Sequence, residues 1–276
     1  MRKLKKINLV IMSIAVICSL LTSTNGLAAD NIIVKGSTTV LPISQVCAEV
    51  FMDQNPKIDI SVQGGGSGVG ISSIIDGTCD IGNASRAIKG KELENAEEKG
   101  VEPIGNIVAR DAIAVVVNPV NGVNELTLEQ IKSIYTGEFS NWSQVGGTNQ
   151  EIVVISRDSA SGTFEAFNEL ALEKERVRPD ALLQASNTAV ATSVANTPGA
   201  IGYIGLGYVT SKVKSIKING VAPSKDTVNS DTYPLARPLF MYTNGEPAGE
   251  VKQFINFVMS EEGQKLVEEN GYISVK

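Results

Sequence analysis

The sequence predicts an α/β fold with mostly parallel sheets flanked by helices. Short apolar strands alternate with amphipathic helical stretches from residue 32 onward, and turns rich in glycine and serine separate them. The apolar run at 112–117 also has the character of a strand buried on both faces. With 276 residues, of which 42% are hydrophobic and 20% charged, the chain can form one large domain or two lobes with separate cores.

Residues 1–29 have the composition of a secretory signal peptide. A basic start is followed by an apolar run of 13 residues at 9–21, and the small residues Ala28 and Ala29 offer a cleavage site. The apolar run is shorter than the roughly 18 residues that a membrane span needs. Cys18 leaves a lipid anchor as an alternative, although Ile17 stands where a small residue normally precedes a lipidated cysteine. We therefore expect an exported protein, periplasmic or associated with the cell surface, cleaved near Ala28 or Ala29.

The charge of the remaining chain argues against nucleic acid as a partner. Without the leader, the chain keeps 20 of its 24 basic residues and all 30 acidic ones, a net charge of −10. Two cysteines remain, Cys47 and Cys79. They form either a disulfide, as export would allow, or two buried thiols, as their apolar neighbours suggest.

The first part of the mature chain alternates strands with helices. A strand at 32–34 precedes a helix opened by Pro42, and a second strand at 58–62 leads into the glycine run at 64–70. A helix with isoleucines on one face follows, and then a short strand at 80–81. Strand, helix and strand in succession predict parallel pairing through right-handed crossovers.

The later elements carry clear boundary signals. A helix at 91–99 ends at Gly100, and Thr127 with Gln130 forms a capping box for a helix that Gly137 ends. A strand at 151–156 runs into the segment 156–163, and the next helix is expected to bury Phe164, Phe167 and Leu170. The last elements are a strand at 239–242 and a helix that buries Val251, Phe254, Ile255 and Val258.

Three loops between a strand and a helix share one design. The segments 36–42, 64–68 and 156–163 each offer hydroxyl groups and main-chain N–H groups at a helix N-terminus, which favours anions without any cation. Each loop alone is more typical of an ordinary helix cap than of a ligand site. Because all three would lie at the carboxyl ends of strands, and one contains Arg157, together they favour a site for a small tetrahedral oxyanion.

Catalysis is the competing class of function. The chain has no histidine, so a Ser-His-Asp triad is impossible and no metal site is expected. The glycine run matches neither the nucleophile elbow nor the P-loop. No pair of nucleophile and base is evident, and we expect neither an enzyme nor a bound cofactor.

Seven motifs follow one another over nearly the whole mature chain. They are "KGSTTVLPIS", "VQGGGSGVG", "CDIGNASR", "LTLEQIKSIYTGEFSNWSQVGG", "SRDSASGTFEAF", "PGAIGYIGLGYV" and "FINFVMSEEGQKLVEENGYI". In this order they resemble the phosphate-binding proteins of ABC importers. The resemblance implies a type II periplasmic-binding-protein fold of two lobes, whose cleft closes over one phosphate for delivery to a membrane permease. We expect a monomer, and a subunit for sulfate, molybdate or tungstate remains the alternative, ahead of a secreted enzyme acting on phosphoesters.

The resemblance also implies ligand-binding residues. Thr38 and Thr39 match the first phosphate loop and Ser67 the second, and the matches in the third loop are Arg157, Ser161, Gly162 and Thr163. Ser85 and Arg86 are further ligand-binding candidates, from the "DIGNASR" segment. Arg157 is the charged group expected to bond two oxygens at once. The lobes are expected to comprise 30–109 with 236–276, and 110–235.

One departure from the family pattern concerns selectivity. The position where the family has an aspartate that accepts the proton of phosphate is Ser85 here, followed by Arg86. A second aspartate position in the third loop is Ser159, next to Asp158. Since sulfate carries no proton at neutral pH, such a carboxylate would reject it. Asp158 and Asp111 are the replacement candidates, and the alternative is a site of donors only.

Overall fold

A computed structural model describes residues 30–276 as a protein of α/β architecture. The predicted leader, with its cleavage site and Cys18, lies outside the described residues. In chain order the elements are β1 (Asp30–Gly36), α1 (Leu41–Gln54), β2 (Ile58–Gly64), α2 (Ser67–Ile75), β3 (Ile81–Ala84), α3 (Gly90–Glu98), β4 (Pro103–Val117), β5 (Glu125–Leu126), α4 (Leu128–Thr136), β6 (Val153–Arg157), α5 (Gly162–Leu170), β7 (Leu182–Gln184), α6 (Asn187–Asn196), β8 (Ala200–Gly205), β9 (Lys214–Ser215), β10 (Lys217–Ile218), α7 (Lys225–Asn229), β11 (Ala236–Asn244), α8 (Gly249–Val258) and α9 (Glu261–Glu269). Short 3-10 helices lie at Trp142–Val145 and Leu206–Tyr208.

The strands pair in the order β2-β1-β3-β11-β4-β8-β6-β7, with β9 added beside β4. At one end β1 runs parallel to β2 and β3, and at the other β6 runs parallel to β7 and β8, as the alternation of strands and helices predicts. Between these two parallel groups, β4 and β11 pair with each other and with their outer neighbours in antiparallel fashion. Two antiparallel strands therefore join two parallel halves.

Each half has a buried core, and together they form a fold of two lobes. In the first lobe, Val108 and Ala109 of β4 pack with buried residues of β1, α1 and α8. In the second lobe, Ala112 and Ile113 of the same strand pack around aromatic residues of α4, α5 and β8. Along β4, the boundary between the two cores therefore lies between residues 109 and 112. The lobes are joined by the continuous strands β4 and β11.

Local signals in the sequence agree with the helix boundaries. The capping box at α4 forms, since the Thr127 hydroxyl accepts from the Gln130 N–H at 3.1 Å and the Gln130 side chain accepts from the Thr127 N–H at 2.9 Å. Gly137 ends this helix with a φ of 97°, and Gly100 follows α3 with a φ of 67°.

Three other expectations have different outcomes. Leu170 was expected in the core but is 40% exposed, because α5 ends at this residue. The buried strand expected at 112–117 is confirmed, and these residues are the last six of the 15-residue β4. Cys47 and Cys79 are free thiols and not a disulfide, and burial raises the pKa of the Cys47 thiol to about 12.

Within residues 30–276, none of the helices combines the length and the apolar character needed to cross a bilayer. Across the same residues, no cluster of three or more histidine, cysteine, aspartate or glutamate side chains is suited to a metal ion.

Candidate functional site

The three donor loops meet where the two lobes touch. The loop after β1 and the loop after β2 belong to the first lobe, and the loop between β6 and α5 belongs to the second. The hydroxyl groups of Thr39 and Thr163 lie 3.1 Å apart across this junction. The Gly68 N–H donates to the Ala160 carbonyl oxygen at 3.0 Å, so the lobes are also joined by their main chains.

Arg157, the last residue of β6, places a positive charge in this junction. Its side chain is 2% exposed, with Nε donating to the Gln184 carbonyl and Nη2 to the Ala185 carbonyl, both at 3.0 Å. Within residues 30–276, Nη1 has no hydrogen-bond partner and no carboxylate forms an ion pair with the guanidinium. Burial lowers the pKa of Arg157, but an arginine stays protonated in proteins. The site therefore holds a buried cation with free donor capacity.

Aromatic packing holds Arg157 in position. The Tyr203 hydroxyl accepts from the Arg157 N–H at 3.1 Å and lies 2.8 Å from the Ser156 hydroxyl. The Phe167 ring stacks on Tyr203 with 4.0 Å between ring centroids, and Tyr135 packs edge-on against Phe167 at 4.8 Å. The second-lobe core thus fixes the end of β6, from which the guanidinium projects.

Asn187, at the start of α6, orients the hydroxyls of the first loop. Its Nδ2 donates to Thr38 Oγ1 at 3.2 Å and to Thr39 Oγ1 at 3.0 Å, and its Oδ1 accepts from the Gly205 N–H. Thr38 Oγ1 also accepts from Arg157 Nη2 at 3.5 Å. Because N–H donors occupy the lone pairs of this oxygen, the Thr38 hydroxyl is left to donate its own proton.

The second loop and the start of α5 form the other side of the junction. Ser67 Oγ accepts from the Ser85 N–H at 2.9 Å and lies 3.3 Å from Ser85 Oγ. Gly162 packs against both, since a Cβ there would overlap Ser67 Oγ and lie 2.8 Å from Ser85 Oγ. Ser161 Oγ caps α5 by accepting from the Phe164 N–H at 3.1 Å. The N–H groups of Gly162 and Thr163 belong to the first helical turn, where donors have no partner inside the helix.

A second arginine, Arg237 of β11, donates hydrogen bonds to the same cluster of hydroxyl groups and to Asp111. It is 4% exposed, and its Nε and Nη2 donate to Asp111 Oδ2 at 3.1 and 2.8 Å. Nη1 donates to Ser85 Oγ at 3.4 Å, and Nη2 to Thr39 Oγ1 at 3.2 Å. Asp111 Oδ1 accepts from the Leu206 N–H at 2.9 Å. Burial raises the pKa of Asp111, and the adjacent Arg237 charge opposes that rise.

Three other expected residues lie outside this network of bonds. Arg86 turns toward Glu92 and Glu165, with which it forms ion pairs. Asp158 is partly buried, and its Oδ1 accepts from the Ala160 N–H at 2.9 Å, within its own turn. Ser159 is exposed and borders a surface cavity of about 430 Å³.

The network thus brings together most of the residues expected from the sequence, which are Thr38, Thr39, Ser67, Ser85, Asp111, Arg157, Gly162 and Thr163, with Ser161 as the cap. It also includes Asn187 and Arg237, which were not predicted from the sequence. Arg237 had a detectable signal, because a charged residue stands among apolar ones in "LARPLF". Asn187 had none, since asparagine beside a helix start is an ordinary capping residue.

Comparisons with known proteins agree with the two-lobe fold. A family model described as a PBP superfamily domain matches residues 22–262. The phosphate-binding protein PstS of Bacillus subtilis (strain 168) is 36% identical over 250 residues, which cover 90% of this chain and 82% of that protein. The chain belongs to the phosphate-binding-protein family of the PBP superfamily.

Solved structures of this phosphate-binding-protein family have the same fold. A protein from Clostridium perfringens, described as a phosphate ABC transporter substrate-binding protein with bound phosphate, is 34% identical with a TM-score of 0.84, and the match covers 90% of this chain and all of that one. An ABC-type phosphate transport receptor from Vibrio cholerae is 38% identical with a TM-score of 0.73, covering 88% and 99% of the two chains.

Proposed function

We propose that this protein is an exported solute-binding protein that captures inorganic phosphate and delivers it to the permease of an ABC importer. The observation that carries the proposal is Arg157, a buried guanidinium with a free Nη1 and no carboxylate partner in residues 30–276. A buried cation without a counter-ion is costly, and a bound anion removes that cost. The named relatives and solved structures support phosphate as that anion.

The donors have distinct roles in this proposal. Arg157 supplies charge and two N–H donors, and Arg237 adds a second guanidinium whose charge Asp111 balances. The hydroxyls of Thr38, Ser67 and their neighbours donate to the remaining oxygens, together with the first N–H groups of α5. This arrangement serves binding and not chemistry, in keeping with relatives that are named as binding proteins.

Binding by hinge closure follows from the same contacts. Residues 30–109 with 236–276 would form one lobe and 110–235 the other, joined through β4 and β11. Thr38, Thr39, Ser67 and Ser85 come from the first lobe, whereas Arg157, Gly162 and Thr163 come from the second. An anion between them bridges the lobes and favours the closed form. We expect the protein to act as an exported monomer.

Selectivity is expected to be moderate, because the geometry favours a site of donors. Both oxygens of Asp111 already accept hydrogen bonds, and one oxygen of Asp158 is held within its own turn. The proton of hydrogen phosphate would then be accepted by a serine or threonine oxygen. Such an oxygen discriminates against sulfate less strongly than a carboxylate does. Sulfate should compete within about tenfold to a hundredfold of phosphate.

Calorimetric titration of the refolded, ligand-free mature protein tests both function and selectivity. We expect phosphate to bind at a 1:1 ratio, with sulfate as a weaker competitor at both pH 6 and pH 8. Binding of tungstate or molybdate without binding of phosphate would assign the protein to another oxyanion importer. Rejection of sulfate that is lost in Asp158→Asn or in Asp111→Asn would instead identify that carboxylate as the proton acceptor. Hydrolysis of phosphoesters that is lost in Ser161→Ala would contradict a function of binding alone.

A further inference from the structure

Arg86 belongs to a group of ion pairs where the two lobes meet. It follows β3 and makes two bonds to Glu92 of α3, Nη1 to Oε2 and Nη2 to Oε1, both at 2.8 Å. Its Nε also pairs with Glu165 Oε2, and Lys89 Nζ lies 2.5 Å from Glu165 Oε1. Ala96 places α3 in a core of the first lobe, whereas Glu165 lies on α5 of the second. One carboxylate of the second lobe is therefore held between two cations of the first.

The charges of this group are complementary across the junction. Arg86, Lys89 and Glu92 together carry a net charge of +1, and Glu165 carries −1. The side chains of Arg86 and Glu165 are only 9% and 17% exposed, so water and salt screen their attraction less than that of a surface pair. When the lobes separate, Arg86 can keep its partner Glu92, whereas Glu165 loses both of its cations.

The position of Glu165 couples this group to the anion site. It lies in the first turn of α5, three residues after Gly162, and the same turn carries the N–H groups that face the cluster of hydroxyls. Since α5 is a rigid element of the second lobe, the motion that brings Gly162 against Ser67 also brings Glu165 against Arg86 and Lys89. Closing over the anion and forming the ion pairs are one movement.

We propose that Glu165 is a positioning residue whose ion pairs with Arg86 and Lys89, here called the latch, hold the lobes together. The latch slows release of the bound anion without touching it. The proposal rests on the proposed function, namely capture of phosphate by closure. It also gives Arg86 a role that its place beside Ser85 does not explain, because the guanidinium is committed to the lobe junction and not to the ligand.

Release kinetics test the latch. Phosphate dissociation is measured by stopped flow for the wild-type protein and for Glu165→Gln, Lys89→Met and the double variant. The matched control is Glu169→Gln, which removes a carboxylate from the same helix whose partner, Lys174, lies in the same lobe. We expect Glu165→Gln to raise the dissociation rate about threefold to thirtyfold, and Lys89→Met to add little in the double variant. The control should release phosphate at the wild-type rate.

Salt dependence separates a latch from a general loss of structure. The wild-type dissociation rate should rise with ionic strength, and this rise should be much smaller in Glu165→Gln. Equal dissociation rates for wild type, Glu165→Gln and Glu169→Gln would overturn the latch while leaving phosphate capture intact. If wild type binds no phosphate, the proposed function fails first. The latch is then tested by small-angle scattering of the ligand-free variants at low salt. It predicts a larger radius of gyration for Glu165→Gln than for Glu169→Gln, and equal radii would contradict it.

Discussion

At the scale of single residues, the proposed anion site depends most on the buried side chain of Arg157. Its Nε and Nη2 donate to carbonyl oxygens of the same lobe, whereas Nη1 has no hydrogen-bond partner among residues 30–276. The protein thus maintains a buried charge that has no carboxylate partner within residues 30–276. Such an arrangement weakens the unliganded form and strengthens the liganded one, as a receptor for an anion requires.

Removing this guanidinium should affect affinity more than removing a hydroxyl. We expect Arg157→Ala to weaken phosphate binding by about 2–5 kcal/mol, because a buried dianion then lacks its charged and bidentate partner. Ser67→Ala removes one neutral donor and should cost about 1–2 kcal/mol. Calorimetric titration measures both values, and the melting temperature of each ligand-free variant is the control for folding. Small, equal losses in the two variants would show that Arg157 does not contact the ligand.

At the scale of elements, the N-terminus of α5 is the point where the second lobe meets the first. Glycine at position 162 allows this approach, because a side chain there would occupy the space of Ser67 Oγ. The cap by Ser161 keeps the helix regular up to this contact. The same turn carries N–H groups that are the proposed donors to an anion and, three residues after Gly162, the carboxylate of Glu165 that pairs with the first lobe.

Adding one methyl group at this point should block closure. We expect Gly162→Ala to weaken phosphate binding at least tenfold, because the methyl group overlaps a first-lobe oxygen only when the lobes are closed. The ligand-free protein should keep its melting temperature, since alanine suits the start of a helix. Titration and thermal unfolding measure the two effects. An unchanged affinity would mean that the lobes do not approach this closely around the ligand.

The start of α3 should contribute a stability that depends on pH. Burial alone would raise the pKa of Glu92, but its bonds from Arg86 and from the Lys89 N–H lower it below the ordinary value of 4.5. The native state therefore prefers the ionised form, and this stabilisation is present above pH 4.5 and is lost as pH falls through the lower native pKa. Urea unfolding should show Glu92→Gln less stable than wild type at pH 7, with the difference shrinking in acid. The control is Glu94→Gln, an exposed residue of the same helix, which should differ little from wild type at either pH.

At the scale of the whole molecule, two lobes connected by β4 and β11 suit the proposed hinge closure around an anion. Phosphate at about a hundred times its dissociation constant should raise the melting temperature by about 5–10 °C, because the ligand binds only the native state. Small-angle scattering should also show a smaller radius of gyration with phosphate than without it. Stabilisation at a constant radius would support binding without closure of the lobes.

Local sequence signals were reliable where a short segment determines its own conformation. The capping box at Thr127, the glycine that ends α4 and the parallel pairing of β1 with β2 and β3 all follow from neighbouring residues or from short crossovers. Leu170 was misplaced because periodicity alone does not show where a helix ends.

The sequence by itself determined the class of fold, the three donor loops and the presence of Arg157 in one of them, because helix starts and apolar periodicity are properties of contiguous residues. Only the tertiary structure decided that Arg237 and Asn187 join those loops, and that Arg86 pairs with Glu165 instead. Arg237 lies 198 residues from Thr39, and Glu165 is brought to Arg86 from the other lobe. Long charged side chains have many rotamers of similar energy, so the partner that each one takes depends on which distant elements the packed fold brings within reach.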